Sequence, residues 1–130
     1  MRAATSFGGG VALSKGMCGC VSAAAMALGM AFGSTEPTGT APRSAYARAR
    51  AFLEAFRKRF GTITCGTLTA PWERDFANPQ RVYRCAELVD FTVREVQRIL
   101  HAPPEEGEAT EPWWDTYLTR RDKVEPPPQA

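Results

Sequence analysis

Apolar residues recur at helical spacing in two stretches of this chain and run together in a third. From Met17 to Phe32 the sequence is nearly unbroken apolar, which reads as a helix that needs cover on every side. Over residues 43–60, Ala45, Ala49, Phe52, Leu53, Phe56 and Phe60 stand three or four apart and form one apolar stripe. Arg48, Arg50, Arg57, Lys58 and Arg59 fall largely outside that stripe, and the Arg57-Lys58-Arg59 triplet reads as a solvated face. Over residues 80–101 the stripe is Val82, Cys85, Val89, Val93, Val96 and Leu100, widened by Leu88 and Ile99. Cys85 is therefore expected on a buried helix face.

Breakers separate these stretches. Residues 1–7 read as the tail of a helix whose start is missing, ended by Gly8-Gly9-Gly10, with a turn over 11–16. Gly33 stops the apolar helix, and Ser34 to Pro42 is a loop rich in Thr, Pro and Gly. Gly61 stops the next helix. Thr62-Ile63-Thr64 is extended, and Cys65-Gly66-Thr67-Leu68 begins a single turn. The chain reads as all-α, a small helical bundle of three main helices with an irregular C-terminal tail. Residues 1–101 form the helical domain and 102–130 the tail. That tail carries Pro103-Pro104, an acidic run and the cluster Trp113, Trp114, Tyr117 and Leu118, which packs back or docks a partner.

Composition narrows the function. At 130 residues one domain is expected, with enough chain to bury a core without crosslinks. Sixteen basic residues against 14 acidic ones leave a net charge of +2, no argument for nucleic acid or a charged membrane as partner. The apolar run holds Gly19 and Gly29, is short for a membrane span and lacks an obvious cleavage site after it. No membrane span is expected, and the cytoplasm is the expected compartment. His101 is the one histidine and reads as a helix C-terminal cap, which argues against histidine-based chemistry. Gly8-Gly9-Gly10 lacks the Lys-Ser/Thr of a phosphate loop.

The remaining chemistry lies in four cysteines: Cys18, Cys20, Cys65 and Cys85. Their spacings match no zinc-finger pattern. Cys18 precedes the apolar helix, where free N–H groups and the helix dipole stabilise a thiolate. Cys20 lies two positions on and shares a face with Cys18 only where the backbone is not yet helical, which the neighbouring glycines permit. Cys65 stands in a loop, where functional residues concentrate. The alternative for Cys18, Cys20 and Cys85 is a small packing residue. Cys18, Cys65 and Cys85 are expected to converge.

Several segments carry a resemblance: Phe7-Gly8-Gly9-Gly10-Val11, Met17-Cys18-Gly19-Cys20, Met26-Ala27-Leu28-Gly29, Phe56 to Cys65 and Cys85-Ala86-Glu87-Leu88-Val89. Together they resemble the redox-active proteins named for their cysteine pattern, C_GCAxxG_C_C, over about residues 3–100. A similar domain accompanies an iron–sulfur centre in split-Soret cytochromes. The resemblance implies electron transfer or thiol redox work. It maps three of the family's cysteines onto Cys18, Cys65 and Cys85. The chain departs from the pattern at Cys20, where the family has Ala, and at Ala23, where it has Gly. The family's first cysteine, on an earlier helix, is missing. The fourth ligand is then Cys20, a residue of a partner chain, or one on that earlier helix.

Three functions are open at this point. The first is electron transfer through an iron–sulfur cluster held by Cys18, Cys20, Cys65 and Cys85. The second is dithiol–disulfide exchange. The third is a non-catalytic accessory subunit of a larger oxidoreductase. An electron carrier or accessory subunit is expected rather than a stand-alone enzyme. The expected partners are a redox protein or larger oxidoreductase and, to cover the apolar helix, a second copy of this chain.

Overall fold

The computed structural model describes residues 2–36 and 43–103. The tail with Trp113, Trp114, Tyr117 and Leu118, and residues 37–42 of the loop over 34–42, lie outside the described residues. The fold is all-α. A 3-10 helix, Arg2–Phe7, precedes α1 (Gly19–Phe32), α2 (Arg43–Phe60), the single turn α3 (Cys65–Leu68) and α4 (Pro79–Leu100), with a second 3-10 turn at Ala70–Trp72. Helix α1 packs against both α2 and α4.

The core lies where these three helices meet. Val21, Ala24 and Leu28 of α1 are buried against Phe52 and Phe56 of α2 and Leu88, Val96 and Ile99 of α4. Rings extend this contact: Phe56 and Phe60 are 4.8 Å apart between centroids, and Phe60 meets Phe91 edge-on at 5.1 Å. Such pairs add to the stabilisation from burial.

The helix ends follow local chemistry. Asn78 caps α4 by accepting from the Gln80 N–H at 3.0 Å, and Pro79 takes the first position, where no N–H is missed. Gly61 ends α2 in the left-handed region (φ 81°), its N–H donating to Arg57 at 2.7 Å.

Two expectations need correction. The buried row of α4 is Arg81, Leu88, Thr92, Val96 and Ile99, while Val82, Val89 and Val93 are about half exposed. The helix is turned away from its most apolar row because Arg81 and Thr92 are buried with it. Thr92 satisfies its hydroxyl by donating to the Leu88 carbonyl at 2.7 Å. Arg48 is the second correction, since it stands outside the apolar stripe of its helix and is buried. Its guanidinium donates to the Ile99 carbonyl at 2.6 Å and lies 4.1 Å over the Phe32 ring. It thereby ties the C-terminal ends of α1 and α4 to α2.

Helix α1 is not covered on every side by the described residues. Ala23, Gly29 and Met30 are exposed, Met30 at 90%. No described helix is long and apolar enough to cross a membrane.

Candidate functional site

The four cysteines come from three places in the sequence, and backbone pairing brings the first two places together. Residues 15–18 lie antiparallel to 63–66. The Cys18 N–H donates to Ile63 at 2.8 Å, the Cys65 N–H to Gly16 at 2.7 Å and the Gly66 N–H to Lys15 at 3.0 Å, about a bridge between Met17 and Thr64. This ladder places Cys18, the N-cap of α1, beside Cys65, the first residue of α3. The Thr69 hydroxyl locks the α3 turn by donating to the Cys65 carbonyl at 2.7 Å. Helix α4 packs along α1 and brings Cys85, in its second turn, to the same cavity as Cys18 and Cys20.

Cys18, Cys20, Cys65 and Cys85 all line one cavity of about 290 Å³. Leu88, Val89 and Phe76 supply apolar wall, Gly9 and Gly10 supply bare backbone, and Arg81 supplies a charge. Cys18 and Cys65 are buried, Cys20 and Cys85 half-buried, and all four are free thiols. Cys85 thus lies at the edge of the buried row rather than within it. His101 is at the far end of α4, where its N–H donates to Gln97 as the C-cap.

The loop over 8–16 closes the cavity in an unusual conformation. Gly9, Gly10, Val11, Ala12 and Leu13 are consecutive left-handed residues, with φ between 50° and 76°. For residues with a Cβ this costs roughly 1–2 kcal/mol each. The turn is held by N–H bonds from Leu13 to Gly8, Lys15 to Gly9 and Gly16 to Gly10, at 2.8–3.1 Å. Strain of this kind gathers at functional sites.

The thiols are electrically unequal. A hydrogen bond from the Cys20 thiol, helped by the backbone N–H groups of Cys20 and Val21, holds Cys18 down to about 6 against the opposing effect of burial. Cys20 is pushed up because its proton is held in that bond and because it is buried beside a thiolate. Burial also pushes Cys85 up, opposed by the positive charge of Arg81. Cys18 is thus held toward its thiolate and Cys20 toward its thiol.

Among the described residues, no three His, Cys, Asp or Glu groups are placed to hold a single metal ion. The four thiols line one cavity together with the bare Gly10 edge and the buried Arg81. Gly10 and Arg81 were not singled out as site residues from the sequence. The available signal for Arg81 was its place in the first turn of a helix, which favours acidic residues over basic ones. Gly10 was legible only as a helix breaker.

The family model described as "Putative redox-active protein (C_GCAxxG_C_C)" matches residues 1–99. No curated protein and no solved structure matches the chain.

Proposed function

The chain belongs to the redox-active C_GCAxxG_C_C family, and from that premise we propose that its cavity holds an iron–sulfur cluster through Cys18, Cys65, Cys85 and Cys20. The observation that carries this reading is that all four thiols line one void without closing on a point. A single ion needs its donors to converge. Four thiols around a void suit a polynuclear group. Such a cluster would supply reversible electron transfer.

The chain's own residues have definite tasks in this reading. Cys18 is a thiolate near neutral pH and offers the first ligand without a prior proton loss. Cys20 and Cys85, whose thiols are held protonated, release protons as they bind, so loading is favoured by rising pH. Leu88, Val89 and Phe76 keep water from the sulfurs. Val89 is half exposed while lining the cavity, so the site lies close to the surface. Electrons would pass there to a redox partner protein, with Val82 and Val93 extending the apolar rim it meets. Free thiols of this kind suit a reducing compartment such as the cytoplasm. The exposed side of α1 would be covered by a second copy of the chain.

The closeness of Cys18 and Cys20, the first held toward its thiolate and the second toward its thiol, favours a second reading, dithiol–disulfide exchange. The Cys18 thiolate would attack a substrate disulfide, form a mixed disulfide and displace one thiolate. Cys20, losing its proton to solvent, would then attack the Cys18 sulfur and release the second thiolate. Two electrons pass to the substrate and a Cys18–Cys20 disulfide remains.

Anaerobic purification followed by iron and labile-sulfide assay tests the choice. Iron and sulfide bound together, with visible absorbance lost on reduction, are expected. Protein that takes up neither, yet reduces a model disulfide, overturns the cluster reading in favour of the second.

A further inference from the structure

The four-cysteine cavity has a charged wall that neither reading uses. Arg81 is only 7% exposed and lines the cavity. A guanidinium keeps its charge in any protein, and burying one without an anion is strongly unfavourable. Among the described residues no carboxylate pairs with Arg81. Its compensation is slight: the Phe76 ring 4.2 Å below it and one long bond, 3.5 Å, to the Phe76 carbonyl. Its Nε–H is buried with no partner.

Position makes this burial harder. Arg81 is the third residue of α4, whose first turn holds no acidic side chain. The helix dipole is positive there, so charge and dipole add rather than cancel. A buried donor, an unpaired cation and a helix N-terminus thus meet at one wall of a cavity whose other walls carry thiols. That combination calls for an anion inside the cavity.

We propose that Arg81 is the counter-charge of the four-cysteine centre: it holds negative charge in the cavity and makes the centre easier to reduce. The second half rests on the cluster reading. Each cysteine ligand brings one negative charge, and a centre that gains an electron gains another. Arg81 attracts the reduced state more than the oxidised one, and so favours reduction. It is a positioning residue that acts through charge.

The test uses the full chain as wild type, Arg81→Met and Arg81→Lys, with helix content checked by circular dichroism. In the metal-free, reduced protein the thiols react with an anionic aromatic disulfide and with a neutral disulfide. The anionic-to-neutral rate ratio is expected to fall roughly tenfold in Arg81→Met and to return in Arg81→Lys. In cluster-loaded protein, Arg81→Met is expected to shift the redox equilibrium roughly tenfold toward the oxidised form, about 59 mV for one electron.

A ratio that does not move in Arg81→Met overturns the proposal. If Arg81→Met fails to fold, wild type decides alone: its ratio must exceed one at low salt and fall as salt is added, and a ratio near one overturns the proposal. Protein that never loads iron and sulfide but shows the charge effect sinks the cluster reading while upholding the role of Arg81. Loaded protein with neither ratio nor potential altered keeps the cluster reading and removes Arg81 from it.

Discussion

Gly10 lies so close to Cys65 that a Cβ on Gly10 would stand 2.7 Å from the Cys65 Cβ, nearer than carbon atoms approach without bonding. The same Cβ would meet the Gly16 nitrogen at 2.7 Å, and the backbone at Gly10 is left-handed, with φ 76°. Gly10→Ala is therefore expected to destabilise the fold by at least about 1–2 kcal/mol from backbone strain alone and to displace Cys65. Gly8→Ala is the control, because nothing lies within 4 Å of its added Cβ. It should stay within about 0.5 kcal/mol of wild type. Urea denaturation measures both, and equal effects would contradict the packing argument.

The Cys18 thiolate gives a pH signature. In reduced, metal-free protein, alkylation of Cys18 should follow a titration near pH 6, well below the ordinary 9.0. Cys20→Ala removes the main donor and should move that titration up. The stability linked to Cys18 has a definite sign. Its folded value is depressed, so its contribution is complete above 9.0 and is lost as pH falls through about 6. Cys20, held protonated in the fold, works against further gain at higher pH. A rate profile with one inflection near 9 would rule out the Cys18–Cys20 bond.

Cys18→Ser separates ligand from cap. Serine is among the preferred N-cap residues and nearly matches cysteine in size, but it is a poor soft-metal ligand. The variant should keep its helix content and lose most bound iron and sulfide. Wild-type metal content and thiol reactivity in this variant would make Cys18 a packing residue.

Arg48 lies at the other end of the bundle from the cysteines, on the Ile99 and Ala102 carbonyls. Arg48→Met strips the last turn of α4 of a charged donor and is expected to destabilise the chain by about 1.5–3 kcal/mol. Cys18 reactivity should not change while the protein is folded. Loss of site chemistry in folded Arg48→Met protein would mean that the two ends are coupled.

The helices were legible in the sequence because each signal is local. Phe52, Phe56 and Phe60 repeat at the helical period and Gly61 closes their helix, and all-α follows from such signals, although Pro79 reads as loop and is the first residue of α4. The cysteine segments were legible as well, through Met17-Cys18-Gly19-Cys20 and the order of the segments that follow. The facing of α4 was not. Val82, Val89 and Val93 make the more apolar row, yet Arg81 and Thr92 go inward. Periodicity ranks faces by hydrophobicity, and it cannot weigh a buried hydrogen bond or a buried charge.

Local sequence alone determined which residues can ionise, which can ligate and where each helix begins and ends, since those properties reside in side chains and short runs of backbone. Tertiary structure decided which of them meet. Cys18 and Cys65 are neighbours because residues 15–18 pair with 63–66, and Cys85 joins them because α4 packs along α1 with its second turn at the cysteine cavity. Gly10 and Arg81 entered the site by the same route. Contacts between residues tens of positions apart are selected by the fit of whole surfaces, and no short window of sequence contains that fit.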